Sequence, residues 1–253
     1  MMALSMDFRN FATLYSKNVM KDRFSFRQFD VVQEGCAMKV GTDGVLLGSW
    51  ANGGHRILDV GCGTGLIALM MAQRFPAAEI DAIDIDHDAF ETAHRNVEQS
   101  PFSDRIIVAR AKVQEWQPIH RCVHDAQTLP LYDAIVCNPP FFINSLQCPD
   151  NKRTVARHAE TLTFSELMAS AERLMAEEGE ISVVIPVEVK SLMDEAAILV
   201  GLFPHRICMF RTTDRKPPRR VLLSYTKKPR RMESEEMVLG DETYRRLTGD
   251  FYL

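Results

Sequence analysis

The sequence predicts an α/β fold: a mostly parallel sheet with an antiparallel hairpin at one edge near the C-terminus. Three observations carry this. From Arg56 to Val200, short runs rich in Ile and Val alternate with helical patterns, and continuous apolar strands of this kind are covered on both faces. A glycine-rich turn follows the first of these strands directly. After Pro204 the alternation gives way to two strand-like runs joined by Asp214-Arg-Lys-Pro-Pro218.

Element by element, the period and the punctuation predict a strand over Arg56–Val60 and a helix over Leu66–Phe75. Next come a strand at Glu79–Asp84, a helix at Asp88–Gln99, and strands at Ile106–Ala109 and Tyr132–Cys137. A helix over Phe164–Glu178 has a start signal, because Thr163 can cap it and Glu166 stands three residues on. The strand Ile181–Pro186, the helix Val189–Val200 and the strands Arg206–Arg211 and Arg220–Thr226 complete the pattern. Residues Ala111–Pro130 and Ile143–Glu160 read as loops after strands, where an open α/β sheet binds its ligands.

The chain has 253 residues, 46% hydrophobic and 25% charged, enough to bury a sizeable core as one α/β domain with extensions. No stretch approaches the ~18 apolar residues of a membrane span, and the N-terminus lacks the apolar run of a signal peptide, so a cytoplasmic protein is expected. The six cysteines include no C-x-x-C pair, which fits reduced thiols, and the cluster Cys122-Val-His124 has no second cluster at ligand spacing, so no metal is expected. The net charge of −4 hides an asymmetry. Between His205 and Arg231, ten Lys and Arg face one acid, Asp214, a net +9 that leaves −13 on the remainder. Such a concentration suits either a polyanion-binding face or a solvated hairpin.

Ile57-Leu-Asp-Val60 runs straight into Gly61-Cys-Gly-Thr-Gly65, where glycines permit positive φ and let the backbone approach a ligand. The dinucleotide fingerprint would need its third glycine at Leu66 and does not have it. Asp59 lies two residues before the turn, and Asp84 ends the next strand, where an acid can accept bonds from both ribose hydroxyls. Asp86 is a rival for that role. This D-x-G-x-G-x-G pattern with its second acid resembles the cofactor motif of Class I (Rossmann-like) S-adenosylmethionine-dependent methyltransferases. The resemblance implies that Asp59, Gly61, Gly63, Gly65 and Asp84 bind S-adenosyl-L-methionine, its amino-acid end beside the turn. Where that family often has an acid for the adenine, this chain reads Val108-Ala-Arg-Ala-Lys112, leaving main-chain groups or Lys112 and Val113 for the contact.

The strand Tyr132–Cys137 delivers Asn138-Pro-Pro-Phe141 to its carboxyl end. Consecutive prolines stiffen the backbone, the Asn side chain offers a carbonyl acceptor, and Phe141 offers a stacking face. Acceptors on a planar NH2 tip its nitrogen towards tetrahedral geometry and aim the lone pair at a sulfonium methyl, so catalysis is positioning and electrostatics. Asn138, Pro139, Pro140 and Phe141 are therefore the candidate catalytic residues, with Asn138 also at the cofactor. The motif resembles those of amino-methylating enzymes acting on adenine N6, on rRNA guanine N2 or on release-factor glutamine.

Residues Phe24–Trp50, with Lys39-Val-Gly-Thr-Asp-Gly44 at their centre, the NPPF context, Arg153-x-x-x-Arg157-His158 and the terminal Phe251-Tyr-Leu253 together resemble one family. It is the bacterial tRNA (adenine-N6)-methyltransferases acting on the adenine 3′ to the anticodon (position 37) of tRNA1(Val). The resemblance runs from about Phe24 to Leu253; Phe141 stands where Tyr is common, and Trp116–Leu131 looks like an insertion. It implies an enzyme with tRNA as partner, no membrane and no metal, and a monomer is favoured. A rival from another class is a non-catalytic RNA-binding protein of the same fold, which would have broken motifs.

The Lys39–Gly44 turn is expected to fold over the cofactor or the base through Lys39 and Thr42, to cap a Val45–Trp50 helix with Thr42 or Asp43, or both. Arg153, Arg157 and His158 are expected at phosphate or the pocket lip, with a loop salt bridge the competitor. Arg215, Lys216, Arg219 and Arg220 are expected on RNA phosphate. The organisation expected is an extension over 1–23 and a single domain over 24–253. That domain comprises an N-terminal cap (24–54), a cofactor-binding core (55–200), a basic edge hairpin (205–231) and a tail (232–253).

Overall fold

A computed structural model of the chain describes residues 19–20, 23–33, 40–118, 131–140 and 162–252. Three short strands, β1 (Val19–Met20), β2 (Arg23–Ser25) and β3 (Asp30–Val32), form a small antiparallel sheet of their own. Helix α1 (Thr42–Trp50) follows, buried from Gly44 to Trp50. The main sheet begins with β4 (Arg56–Val60), α2 (Leu66–Arg74), β5 (Glu79–Asp84), α3 (His87–Glu98), β6 (Ile106–Arg110) and β7 (Tyr132–Cys137). It continues with α4 (Phe164–Leu174), β8 (Met175–Pro186), a 3-10 turn at Val187–Val189 and α5 (Lys190–Leu199). The last elements are β9 (Phe203–Arg211), β10 (Arg220–Thr226), β11 (Glu233–Val238) and α6 (Glu242–Thr248).

The eight strands stand in the order β11-β9-β10-β8-β7-β4-β5-β6. The block β8-β7-β4-β5-β6 is parallel throughout, β10 is antiparallel to both β8 and β9, and β11 runs parallel to β9. Side chains alternate between two cores, as the strand period of two requires. Ile57, Ile80, Ala82, Val136 and Val184 pack beneath α1, α2 and α3, while Leu58, Val60, Ile83, Cys137 and Val183 pack against α4 and α5. The predicted sheet and its hairpin are there, with two additions in the 232–253 stretch, β11 and α6. The acidic β11 escapes a hydrophobic pattern because its strand-forming residues are held by partners far away: Glu233 and Glu236 by Arg206 and Arg211, Glu235 by the Trp50 indole at 2.5 Å.

One helix is shorter than predicted. The capping box forms, Thr163 Oγ1 accepting from the Glu166 N–H at 3.2 Å and Glu166 Oε2 from the Thr163 N–H at 2.9 Å, but the helix stops at Leu174 and β8 starts at Met175. Residues 175–178 are good helix formers overridden by strand pairing, since Met175 pairs with Tyr132 across a register shift. Gly179 makes that irregularity possible: a Cβ there would stand 2.8 Å from the Tyr132 carbonyl oxygen.

The turn between β2 and β3 clasps the C-terminal residues. The Arg27 N–H donates to the Phe251 carbonyl at 2.9 Å, and Tyr252 stacks on Phe26 with ring centroids 6.2 Å apart. Phe251 is only 1% exposed. Phe251→Ala is expected to cost about 3–5 kcal/mol, the usual toll of emptying a buried phenylalanine site, read as a lower urea midpoint at unchanged slope.

Candidate active site

The strand order reverses at β4, whose neighbours β5 and β7 lead the chain to opposite sides, and in such sheets the ligand crevice opens there. Register makes the crevice explicit. Val60 of β4 pairs with both Ile83 of β5 and Cys137 of β7, so Gly61, Asp84 and Asn138 are the first residues past the sheet on three adjacent parallel strands.

The glycine turn is held from below. The N–H groups of Gly61 and Cys62 donate to the Ile83 carbonyl at 2.8 and 3.0 Å, and the Gly63 N–H donates to Asp84 Oδ2 at 2.9 Å. Gly61, Gly63 and Gly65 have φ of 69°, 56° and 78°, a region costly to any residue with a Cβ. Among the described residues, a Cβ on Gly61 or Gly63 would meet nothing within 4 Å, so these two glycines serve the turn's shape and leave its upper side clear of them.

Asp84 and its rival Asp86 have different partners. Asp86 caps α3, its Oδ1 accepting from the Ala89 N–H at 2.8 Å. Asp84 Oδ1 accepts from the Asp86 N–H at 3.0 Å, and each of its carboxylate oxygens retains a second lone pair. Asp59 lies wholly buried under the turn, where Oδ2 accepts from the Ala68 N–H of α2 at 3.0 Å and Oδ1 has no partner among the described residues. Burial raises its pKa to about 7, with the nearby Asp84 charge adding to the rise and the Ala68 N–H opposing it. An open glycine turn above an unsatisfied carboxylate, with a second carboxylate at the next strand end, fits a small molecule that carries an ammonium and a ribose.

On the other side of the crevice, Asn138 is half-buried and its Oδ1, itself shielded from solvent, has no partner among the described residues. Pro139 is buried behind it and Pro140 exposed. Thr42 is the first residue of α1, but the cap is Gly41 and no side chain bonds the helix end, so neither Thr42 nor Asp43 caps it. Asp43 instead meets Arg220 at 2.8 Å. Lys112 is exposed and Val113 buried at the turn after β6. Lys39, Phe141, Arg153, Arg157, His158, Cys122 and His124 lie outside the described residues.

Two polar residues of this edge escaped the sequence reading. Asn96 of α3, 1% exposed, accepts from the Val32 N–H at 2.9 Å and donates to the carbonyls of Val32 and Thr64 at 2.9 and 2.8 Å, tying the small sheet to the glycine turn. Its one sequence signal is an amide in the apolar stripe Ala89–Ala93–Val97. Arg173 of α4 donates to the Val113 and Trp116 carbonyls, each at 3.0 Å, fixing the turn after β6.

Nine of the basic segment's ten cations fall into two groups. Arg206, Arg211, Arg220, Lys227, Lys228 and Arg230, six of its ten cations, are paired with acids. Arg215, Lys216 and Arg219, exposed at the hairpin tip between β9 and β10, have no acid partner among the described residues. Arg220 pairs in register with Pro186, three residues beyond the Val183 that faces Cys137. The tip therefore stands on the crevice edge, about 10 Å above the end of β7 and two strands to its side. Among the described residues there is no helix long and apolar enough to cross a membrane, and no group of three His, Cys, Asp or Glu that could hold a metal.

This sheet order is that of Class I methyltransferases. A crystal structure of a predicted O-methyltransferase from Agrobacterium tumefaciens superposes with a TM-score of 0.58 at 20% identity, over 83% of this chain and 96% of that one. The sequence model of the methyltransferase small domain matches residues 40–197, and the chain belongs to that family. Relatives from Parabacteroides distasonis (43% identical over 239 residues) and Phocaeicola vulgatus (44% over 243) are each named tRNA1(Val) (adenine(37)-N6)-methyltransferase. Both alignments cover 91% of this chain and 97% of the relative.

The buried acid gives a pH signature to the ligand-free protein. Because the Asp59 pKa is raised by folding to about 7, the folded chain holds a proton that the unfolded chain releases near its ordinary 3.8. This contribution to stability is full at low pH, falls between about pH 4 and 7, and is flat above, a loss of about 4 kcal/mol. Asp59→Asn is expected to flatten that part of the profile in chemical unfolding measured at each pH.

Proposed function

We propose that this chain transfers a methyl group from S-adenosylmethionine to the N6 amino group of an adenine in tRNA, the adenine 3′ to the anticodon of tRNA1(Val). One observation carries it: Asn138 Oδ1, a shielded acceptor with no partner among the described residues, at the end of β7 and level with the glycine turn. The names of the relatives support the substrate. S-adenosylmethionine supplies an electrophilic methyl on its sulfonium.

The chain's own residues bind and orient. Gly61 and Gly63 leave room for the amino-acid end of the cofactor, Gly65 completes the turn against Ala93, and the free oxygen of Asp59 accepts from the cofactor's ammonium. Asp84 uses its remaining lone pairs on the ribose. Lys39 and Thr42 serve as contacts to the cofactor or the base, and main-chain groups or Lys112 and Val113 serve the adenine. Asn138 Oδ1 and the Pro139 carbonyl accept the two hydrogens of the target amine, and Phe141 stacks on the extracted base, returning about 1–3 kcal/mol of the unstacking cost. No general base is needed at the start, because the attacking lone pair is set by geometry.

Arg215, Lys216 and Arg219 hold the anticodon arm by its phosphates, with Arg153, Arg157 and His158 as further phosphate or pocket-lip contacts. A glutamine side chain as substrate would leave the unpaired tip without a purpose. A tRNA substrate places the work in the bacterial cytoplasm.

The test is transfer of labelled methyl to total tRNA followed by nucleoside analysis, with N6-methyladenosine as the expected product. Asn138→Ala is expected to lower kcat by about a hundredfold or more while calorimetry finds cofactor affinity near wild type, since its bond strengthens as the nitrogen pyramidalises. A parallel loss of cofactor binding would make Asn138 structural. Arg215→Glu with Lys216→Glu is expected to weaken tRNA binding and flatten its salt dependence by about 0.9 for each phosphate no longer neutralised, with cofactor affinity unchanged. Survival of both the affinity and the slope would move the RNA off the hairpin.

A further inference from the structure

Asp43 and Arg220 are 177 residues apart in sequence, yet the Arg220 Nε donates to Asp43 Oδ2 at 2.8 Å, with both side chains only about a third exposed or less. Asp43 sits in the first turn of α1, a helix locked onto the cofactor side of the fold: the next residue, Gly44, has Leu66, the residue after Gly65, within 3.0 Å of where its Cβ would be. Arg220 opens β10, directly below the unpaired tip. The same guanidinium turns back on the tip, donating from a terminal nitrogen to the Arg219 carbonyl at 3.2 Å. That carbonyl also receives the Val187 N–H at 3.4 Å, from the residue following β8, and the Arg219 N–H donates to the Phe210 carbonyl at 3.1 Å. A continuous path of bonds thus runs from the helix beside the glycine turn, through Asp43 and Arg220, to the backbone of Arg219 and to the end of the strand next to β7.

We infer that Asp43 and Arg220 form a positioning pair that fixes the basic tip at its working distance from the catalytic edge, Arg220 acting through Arg219 and the hairpin rather than on RNA phosphate. The inference rests on the RNA reading above and deepens it. The composition of the segment makes Arg220 look like one more phosphate ligand. Its geometry is that of a strut, one end on a carboxylate and the other on a peptide carbonyl.

The two roles predict opposite signs for one substitution. If Arg220 were a phosphate ligand, Asp43→Asn would free it and remove a negative charge from the binding face. RNA affinity would then rise, with a salt slope steeper by about 0.9. A strut predicts the reverse: in full-length protein with an unmodified transcript of the valine tRNA, Asp43→Asn raises the KM for tRNA about fivefold to tenfold and leaves the salt slope of binding unchanged. Arg220→Gln does the same, the double variant is no worse than either single one, and Asp43→Glu restores most of the loss by keeping the carboxylate.

A second measurement needs no RNA. Hydrogen exchange at the Val187 and Arg219 amides is expected to quicken in Asp43→Asn relative to wild type. Tighter RNA binding by Asp43→Asn, an unchanged KM, or unchanged exchange at these amides would each overturn the pair's role. Should wild-type protein methylate no RNA at all, the substrate reading fails by itself, and the exchange measurement still decides whether the strut exists.

Discussion

Two neighbouring parallel strands whose chains depart to opposite sides of a sheet leave a gap that no connection can cover. Here the gap lies over β4 and β7, and the glycine turn, Asp84 and Asn138 stand around it. Register fixes its floor, because Val60 is held level with Ile83 and with Cys137. Three strand ends therefore present three different groups at one height: a glycine turn without side chains, a carboxylate and an amide. Moving any one strand by a residue would turn its contribution into the core on the other face.

The groups left unsatisfied in this gap are the informative ones. A buried acceptor without a donor costs on the order of 1–3 kcal/mol, and Asp59 Oδ1 and Asn138 Oδ1, at the opening, have no partner among the described residues. Elsewhere on the same edge, polar groups are paired with care: Asn96 satisfies three backbone groups at once, and Arg173 gathers carbonyls of the turn after β6. Other buried polar atoms without a partner among the described residues, such as the Ser49 and Ser224 hydroxyls, lie away from the opening, but the two within it face the crevice where a ligand can supply the missing partners.

Much of this was legible in the sequence because it is local. The glycine turn, the Asn-Pro-Pro step and the acid ending the next strand are each contained in a few residues, and their spacing survives in three dimensions. Local propensity misled where long-range pairing outweighed it. Residues 175–178 favour a helix, but Tyr132 draws Met175 into a strand and Gly179 absorbs the irregularity. Asp43 looked like a helix cap because nothing in the nearby sequence reveals Arg220. The basic run looked uniform because the glutamates that neutralise most of it, Glu172, Glu178 and Glu236 among them, belong to other elements.

The outermost strand of the sheet has a consequence beyond this protein's own folding. Among the described residues, β11 has no strand neighbour on one side of its backbone, and its residues include Glu233, Ser234, Glu235 and Glu236. A second molecule joining there strand to strand would bring like charges together at the rim of both sheets, with Arg206 and Arg211 already engaged on the inner side. The acids that hold the last strand in place thereby also oppose pairing of this edge with a like-charged strand.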